Sequence, residues 1–319
     1  MCKRICITGA NGFVGKALCA HCSSTSWNVC AAVRTVPPKD ECIENVHYSP
    51  VGDIDSSTDW SESLHGVDTL VHLAARVHVL HDTEKDPLAL FRRVNLEGTE
   101  HLARQAVECG VRRLIFLSSV KIHGEGSSLA YIESDRSDTL DAYAQSKMEA
   151  ESALHRIAKE TGLEVVIIRP PLVYGPGVKA NFLRLLGLAQ RHIPLPLGMV
   201  HNRRSMIFLD NLISAIMTCV EHPDAAGESF LVSDGVDLST AQLVQTIGHH
   251  MRSMTPMIPV PVGLLRLAGK CLGKSGEIDR VTGSLTVNTE KIHRILHWTP
   301  PFSLDQGIEK TVNWYLNHS

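Results

Sequence analysis

Short apolar runs alternate with amphipathic stretches through the first half of the chain. Runs rich in β-branched residues predict strands that are buried on both faces, as in a parallel sheet. These predicted strands cover residues 4–8, 27–33, 46–51, 67–75, 113–119 and 164–169. Two longer stretches, 87–109 and 141–161, carry apolar residues at helical spacing and predict helices. This alternation favours right-handed crossovers and a doubly wound parallel sheet, which is an α/β fold.

The first predicted strand leads into Gly9, Gly12 and Gly15, at the start of a predicted helix. The first glycine permits a tight turn, the second lets the backbone approach a pyrophosphate, and the third lets the helix pack close to the sheet. Free N–H groups and the helix dipole at this point favour an anionic diphosphate. The spacing therefore predicts a dinucleotide-binding Rossmann domain.

Beyond Gly175, prolines and glycines break the pattern into short helices and loops. This composition is typical of a smaller lobe over the carboxyl edge of the sheet, where ligands bind in open α/β sheets. We therefore predict a dinucleotide-binding domain at 1–174 and a mainly substrate-binding lobe at 175–319. Some segments of the lobe are expected to return to the first domain.

Composition and charge narrow the range of partners. The 319 residues carry a formal net charge of -3, which implies neither a nucleic acid nor an anionic membrane as partner. The longest apolar stretch, 258–272, is interrupted by prolines and basic residues and is too short to span a bilayer. No leader precedes the glycine turn, and the nine cysteines are scattered as in reduced proteins, so we expect a cytoplasmic protein. The Cys19-x-x-Cys22 pair lacks further ligands at matching spacing, and no metal is expected.

Several short motifs coincide along the chain. They are Gly9-x-x-Gly12-x-x-Gly15, Gly52-Asp53-Ile54, His72-Leu73-Ala74-Ala75, Asn95-x-x-Gly98-Thr99, Ser118-Ser119, Tyr143-x-x-x-Lys147 and Arg169-Pro170-Pro171. With them the chain resembles, almost end to end, the extended short-chain dehydrogenase/reductase family, in its nucleotide-sugar epimerase and dehydratase branch. Within the branch it is similar to the 4-ketoreductases that form UDP-N-acetylquinovosamine, and to the UDP-glucose and UDP-N-acetylglucosamine 4-epimerases.

Tyr143 and Lys147 stand one helical turn apart, on one face of a predicted helix. A neighbouring ammonium, together with the charge of an oxidised nicotinamide, favours the phenolate and lowers the tyrosine pKa. Lowering that pKa from about 10 to about 7 requires roughly 4 kcal/mol of preferential stabilisation. Ser119, at the end of a predicted strand, is expected to hydrogen-bond the same substrate oxygen. We predict that these three residues are catalytic.

The residues after Ser119 bear on one relative of these enzymes. Nucleotide-sugar 4,6-dehydratases carry an Asp-Glu pair there, whereas this chain has Val120 and Lys121. Without a general acid and base at these positions, elimination of water has no proton carriers. Lys121 either contacts the sugar or a phosphate, or points to solvent, and the sequence leaves both readings open.

The end of the second predicted strand carries Arg34 and no acidic residue. NAD-binding members hold the ribose 2′-hydroxyl with an acidic residue there, and Arg34 could instead hold a 2′-phosphate. NADP(H) is therefore favoured, with NAD(H) as the alternative. The resemblance places Asp53 and Ile54 at the adenine. It implies further cofactor contacts from Asn11, Phe13, Val14, Leu73, Ala74, Ala75, Asn95 and Pro170, besides Tyr143 and Lys147.

The resemblance also implies a UDP-sugar site that is completed by the second lobe. Its expected residues are Lys179, Asn181, Phe182, Arg204 and Arg280, together with Ser119, Lys121 and Tyr143. The two arginines are expected at the diphosphate. The resemblance further implies a homodimer, in which the two long helices pair with their copies as a four-helix bundle.

Three functions are compatible with these residues. The first is an NADPH-dependent reductase of a UDP-4-keto-6-deoxy-N-acetylhexosamine, which Arg34 favours. The second is a UDP-sugar 4-epimerase that retains NAD through its cycle, which the second lobe fits equally well. The third is a non-catalytic cofactor-sensing regulator, which normally lacks the Tyr-Lys pair and is disfavoured by Tyr143 and Lys147.

Overall fold

The computed structural model describes residues 3–77, 86–126, 129–137 and 140–318. Its strands are β1 (Arg4–Thr8), β2 (Asn28–Val33), β3 (Val46–Pro50), β4 (Thr69–His72), β5 (Arg113–Leu117), β6 (Glu164–Arg169), β7 (Leu172–Tyr174), β8 (Met206–Phe208) and β9 (Ser229–Leu231). The main sheet has seven strands, all parallel, in the order β3-β2-β1-β4-β5-β6-β9. This order confirms the predicted doubly wound α/β fold.

The helices are α1 (Phe13–Ser23), α2 (Ser61–Leu64), α3 (Pro87–Arg92), α4 (Gly98–Glu108), α5 (Ala142–Thr161), α6 (Ala180–Gln190), α7 (Leu209–Glu221), α8 (Thr240–His250), α9 (Val262–Cys271), α10 (Ser275–Thr282), α11 (Glu290–Leu296) and α12 (Leu304–His318). Short 3-10 turns cover Lys39–Glu41, Val120–His123 and Pro223–Ala225. None of the described helices is long and apolar enough to cross a membrane.

The main sheet is buried on both faces. Successive side chains of a strand point to opposite faces, so Ile5 and Cys6 of β1 belong to different core clusters. The cluster around Ile5 includes Leu18 of α1 and Ile216 of α7. The cluster around Cys6 includes Leu154 of α5. Each fully buried aliphatic side chain contributes about 1.5–3 kcal/mol relative to an exposed one, so these two layers hold the sheet's carboxyl edge in place.

The predicted helix 87–109 is divided into three segments. α3 ends at Arg92, a π-helical segment covers Arg93–Glu97, and α4 begins at Gly98. A π turn accommodates one more residue than an α-helical turn, and such segments are frequent at functional sites. The second long helix is continuous, as predicted. It is capped at its start by Asp141 and ends at Gly162, which adopts the left-handed conformation (φ 81°).

The part of the chain after residue 174 contributes to two cores. β9 pairs with β6 and thereby extends the main sheet. α6, α8 and α12 surround the two-stranded sheet of β7 and β8, with Tyr174, Phe208 and Ile308 among the buried side chains. The division of the chain into two domains at residue 174 stays a prediction.

The Cys19-x-x-Cys22 pair lies in the core, away from solvent. Cys19 and Cys22 are buried in α1, and burial raises the pKa of each thiol to about 12. A buried, protonated thiol is neither a good nucleophile nor a metal ligand. Among the described residues, no group of three or more His, Cys, Asp or Glu side chains is arranged to hold a metal ion.

Candidate active site

The glycine turn lies at the carboxyl end of β1, in contact with the chain that leaves β4. Gly9 has a positive φ of 67°, and a Cβ added there would lie 2.8 Å from the backbone nitrogen of Ala74. A Cβ on Gly15 would collide with the carbonyl oxygen of Gly9. Glycine is therefore required at both positions, by the backbone conformation at the first and by the close approach of α1 at the second.

The start of α1 leaves backbone donors available. Its N-cap is Gly12, which provides no side-chain cap, and its first turn carries no acidic residue. Among the other predicted residues of this turn, Val14 packs on the sheet core and Phe13 packs against the core of the second part of the chain. The side chain of Asn11 donates to the carbonyl oxygen of Thr35, at 3.3 Å, and so joins the turn to the chain after β2.

Arg34 lies at the end of β2, as expected, but it has an acidic partner. Its Nε is 2.9 Å from Oδ1 of Asp53, with both side chains more than three-quarters exposed (78% and 79%). The carboxylate comes from the chain after β3, which is the neighbour of β2 in the sheet. The end of β2 itself carries no acidic residue, as the sequence shows, but Asp53 brings a carboxylate to Arg34 from the neighbouring segment. Ile54 lies against Gly98, where a Cβ would be 2.7 Å from Ile54 Cγ2.

A buried histidine organises the chain after β4. Thr8 Oγ1 accepts from the backbone N–H of Ala74 (3.2 Å) and lies 2.7 Å from His72 Nδ1. The other ring nitrogen, Nε2, lies 3.0 Å from Thr99 Oγ1, so both ring nitrogens of His72 have a hydroxyl partner. Burial, and secondarily the charge of Lys147, lowers the pKa of His72 to about 3. The neutral ring thus fixes the partly buried segment 73–75. Sequence reasoning gave His72 no such role, although a polar residue ending an apolar strand was visible.

Asn95 lies in the π-helical segment and is fully buried. Its Oδ1 accepts from the backbone N–H of Arg76 (2.8 Å), and its Nδ2 donates to the Arg76 carbonyl (3.0 Å). Nδ2 also donates to Ser146 Oγ at 3.0 Å, beside Lys147 on α5. Asn95 therefore braces the chain after β4 against the helix that carries the predicted catalytic residues.

Tyr143 and Ser119 lie next to each other. Tyr143 lies in the first turn of α5, and Ser119, which follows β5, is near enough to the phenol to influence its pKa. Burial raises the pKa of the tyrosine to about 12, and the charge of Asp141 adds to the rise, while the hydrogen bond to Ser119 opposes it. The Tyr-Lys spacing predicts a lowered tyrosine pKa. In the protein alone the pKa is instead raised, because burial disfavours the phenolate.

Lys147 is buried one turn further along α5, with 1% of its surface exposed. Its Nζ lies 3.7 Å from the centroid of the Phe116 ring. Burial lowers the pKa of this ammonium to about 7, and the charge of Glu151 opposes the shift. Glu151 is itself held by Arg169, whose guanidinium donates to both carboxylate oxygens (2.6 and 3.1 Å). Burying a charge this deeply costs free energy unless the charge is paired, and buried groups with shifted pKa values are frequent at functional sites.

Two further predicted residues lie beside Ser119. The carbonyl oxygen of Pro170, at the end of β6, accepts from the backbone N–H of Val120 at 3.0 Å. The ammonium of Lys121 lies 2.7 Å from Asp141 Oδ2 and 3.1 Å from Glu125 Oε1. Neither of the two sequence-based alternatives for Lys121 anticipated this ion pair with the start of α5.

The residues expected at the sugar nucleotide are only partly brought together. Arg204 is half-buried, and its Nη1 donates to the carbonyl oxygens of Arg280 (2.7 Å) and Gly283 (3.1 Å). The Arg280, Lys179 and Asn181 residues are exposed. Phe182 is 1% exposed and stacks on Tyr174 with the ring centroids 5.2 Å apart. Its ring is therefore a core residue, and the expectation that this side chain lines a ligand site is corrected.

Comparison with known proteins agrees with this architecture. The family model described as "NAD dependent epimerase/dehydratase family" matches residues 5–233. A UDP-glucose 4-epimerase from Vibrio cholerae is 43% identical over 320 residues, which cover 99% of this chain and 96% of the relative.

Two solved structures share the fold. MoeE5 in complex with UDP-glucuronic acid and NAD has a TM-score of 0.79 at 21% identity, over 99% of this chain and 100% of that one. The UDP-glucose 4-epimerase of Thermotoga maritima with UDP-glucose has a TM-score of 0.76 at 20% identity, over 99% of each chain. The family match over most of the chain and the 43% identity to the Vibrio relative lead to one conclusion: the chain belongs to the NAD-dependent epimerase/dehydratase family.

Proposed function

We propose that this protein is a UDP-sugar 4-epimerase that works with a bound NAD, inverting the configuration of a sugar hydroxyl at C4. The observation that carries the proposal is the placement of Ser119 beside Tyr143, with buried Lys147 one turn away on α5. Support for epimerisation, rather than net reduction, comes from the Vibrio relative, a UDP-glucose 4-epimerase that is alike over 99% of this chain.

The residues at the carboxyl edge of the sheet fit a dinucleotide. Backbone donors at the start of α1 have no side-chain cap, and the glycine turn keeps Cβ atoms away from them. Ser118, next to Ser119, has a buried Oγ without a hydrogen-bond partner in the described part of the chain. A buried hydroxyl without a partner costs about 1–3 kcal/mol, which a ligand could recover. The glycine turn would hold the diphosphate, and Tyr143 with Lys147 the nicotinamide end.

Proton transfer in this mechanism belongs to Tyr143. As phenolate it takes the proton of the C4 hydroxyl, while Ser119 hydrogen-bonds the same oxygen and orients it. NAD, when bound beside Tyr143 and Lys147, would supply the hydride acceptor and donor for C4. Tyr143 then gives its proton back, so that protons and hydride balance over the cycle. The ammonium of Lys147 favours the phenolate and works against the burial that otherwise keeps Tyr143 protonated.

Elimination of water, the reaction of the dehydratases in the branch, lacks support at this site. Val120 and Lys121 follow Ser119, and the Lys121 ammonium is paired with Asp141. An elimination needs one group that removes a proton and another that donates one to the leaving hydroxyl. The carboxylates that would serve as these groups are absent from the two positions after Ser119.

A second candidate, the NADPH-dependent 4-ketoreductase, is favoured by one observation. Arg34 stands at the end of β2, where its guanidinium could bind a 2′-phosphate. The neighbouring Asp53 weakens this argument, because its carboxylate repels a phosphate and can accept from a ribose hydroxyl. Cofactor choice therefore depends on the balance between these two side chains.

The test is to incubate the purified protein with UDP-galactose, with and without NAD, and to separate the products. We expect UDP-glucose to appear without consumption of NADPH. Tyr143→Phe should lower the rate by about 10²-fold or more while dinucleotide binding is retained. Tyr315→Phe is the matched control, since its hydroxyl contacts Gln190 on the surface. Stoichiometric NADPH consumption with a UDP-4-keto-6-deoxy-N-acetylhexosamine, and no interconversion of UDP-galactose, would replace the epimerase with the reductase.

A further inference from the structure

Lys121 connects the two elements that bring Ser119 and Tyr143 together. It lies in the 3-10 turn Val120–His123, directly after the serine. Its backbone N–H donates to Ser119 Oγ at 3.2 Å, and its ammonium lies 2.7 Å from Asp141 Oδ2. Asp141 precedes Tyr143 by two residues and is the N-cap of α5.

We propose that Lys121 is a positioning residue that clamps the start of α5 and so holds Tyr143 beside Ser119. The inference rests on the proposed function only in taking Tyr143 as the group that moves the proton. It assigns Lys121 to neither of the alternatives open from the sequence, contact with substrate or exposure to solvent.

The N-cap carboxylate has two separate duties in this arrangement. Asp141 Oδ1 accepts from the backbone N–H of Ala144 at 2.7 Å, which fixes the first turn of α5. Oδ2 accepts a hydrogen bond from the Lys121 ammonium at 2.7 Å. One side chain therefore orients the helix start and ties it to the turn that carries Ser119.

The ion pair also matters for the charge near Tyr143. The Asp141 carboxylate disfavours a phenolate two residues away, and the Lys121 ammonium offsets that charge. The groups that face Tyr143 or its immediate partners come from every neighbouring element. Asp141 is the N-cap of α5, and α5 itself contributes Lys147 and Glu149. The segment after β5 contributes Ser119, Lys121 and Glu125. The remaining groups are Phe91 and Arg92 of α3 and Arg76 after β4. Arg92 is paired with Glu149, and the Lys121–Asp141 pair connects the residues beside Tyr143 to the turn that carries Ser119.

The decisive variants separate charge from geometry. Lys121→Met leaves the Asp141 carboxylate without its ammonium, so the pKa of Tyr143 should rise. Asp141→Asn keeps a good N-cap but removes the charge. Lys121→Met combined with Asp141→Asn should therefore return the pKa to the parent value, while the plateau kcat stays below that of the parent because the clamp is still missing. Glu125→Gln is the matched control, because it removes only the more exposed of the two partners of Lys121.

Two readouts are compared across pH: the rate of UDP-galactose epimerisation and the near-ultraviolet absorbance of tyrosinate, taken as the difference from Tyr143→Phe. For Lys121→Met, we expect the acid limb of the kcat profile and the tyrosinate midpoint to move up by about 0.5–1.5 pH units. At a pH on that limb the move corresponds to a loss in kcat of about 3- to 30-fold. KM should change little, and Lys121→Arg should restore the parent behaviour.

Unchanged midpoints in Lys121→Met would overturn the proposal. So would a rise in KM at constant kcat that Asp141→Asn fails to reverse, since that pattern indicates contact with the substrate. The tyrosinate titration needs no turnover and is made on the NAD-loaded protein, in which the nicotinamide charge lowers the tyrosine pKa. If the protein does not epimerise UDP-galactose, the titration still decides the role of Lys121 independently of the proposed function.

Discussion

The ammonium of Lys147 faces the ring of Phe116, with Nζ 3.7 Å from the ring centroid. The ring's negative face offsets part of the cost of burying the charge. It does not offset all of it, because burial still lowers the pKa of Lys147 to about 7. With a pKa near 7, Lys147 gains or loses its charge within the pH range in which most enzymes work.

The titration of Lys147 should be visible in the stability of the protein. The folded-state pKa is about 7, whereas an unfolded lysine has a pKa of about 10.4, so the unfolded chain binds more protons between these values. The free energy of unfolding should therefore rise as pH increases from about 7 to about 10. The same contribution is lost as pH falls through this range. Relative to Lys147→Met, the parent should gain about 2 kcal/mol from pH 7 to pH 9, measured by urea unfolding. The difference between the two proteins cancels the cysteines that also titrate in this range, and an equal pH dependence in both would contradict the assigned shift.

The Arg34–Asp53 pair sets up a test of cofactor preference. Asp53→Asn removes a charge that repels a 2′-phosphate and frees the guanidinium, so affinity for NADPH relative to NADH should increase. Arg34→Ala should change the ratio in the opposite direction. Both side chains are largely exposed, which limits each effect to about 2- to 5-fold. Fluorescence titration with the two reduced dinucleotides measures the ratio. If neither substitution changes it, the pair lies outside the ribose site.

Thr8 is predicted to support the cofactor site through its hydroxyl alone. Thr8→Val keeps the shape but leaves the Ala74 N–H and His72 Nδ1 without their shared partner. Leaving buried polar groups unpaired costs about 1–3 kcal/mol of stability, and the freed segment 73–75 should weaken dinucleotide binding. Thr246→Val, on the surface of α8, is the matched control for losing a threonine hydroxyl. Parent-like stability and dinucleotide affinity in Thr8→Val would show that the His72 network does not fix this segment.

The predicted homodimer through α4 and α5 remains a proposal, and the charges on these helices make it testable. Glu100 of α4 accepts from both Arg156 of α5 (2.7 Å) and Arg104 (3.1 Å). We expect a dimer in sedimentation at micromolar concentration, and Arg156→Glu should weaken it by placing like charges together. A monomer in the parent protein at that concentration would contradict the four-helix arrangement.

Features of the fold that depend on residues close together in the chain could be predicted from the sequence. Gly9 and Gly15 have sequence signals because backbone sterics at a strand-to-helix turn depend on residues close in the chain. The same holds for Tyr143 and Lys147, whose relative position follows from helical spacing. For these residues the structure adds burial, which reverses the expected balance of the tyrosine pKa.

Contacts between distant segments could not be predicted in the same way. The Arg34–Asp53 pair depends on β3 lying beside β2, and the Lys121–Asp141 pair depends on how the chain returns from residue 126 to α5. The family resemblance placed Phe182 at a ligand, but its ring is buried and stacks on Tyr174. Each of these outcomes depends on tertiary packing, which no local pattern encodes.

The π-helical segment at Arg93–Glu97 limits where the chain can accept insertions and deletions. One residue of an α-helix corresponds to a rotation of about 100°, so deleting a residue from the segment would turn everything on one side of it relative to the other. Asn95 would then face away from Arg76 and Ser146, although the deletion would make the helix more regular. The π-helical segment thus sets the rotation of α3 relative to α4. Insertions or deletions are expected to be tolerated beyond the ends of this helical stretch and rejected within it.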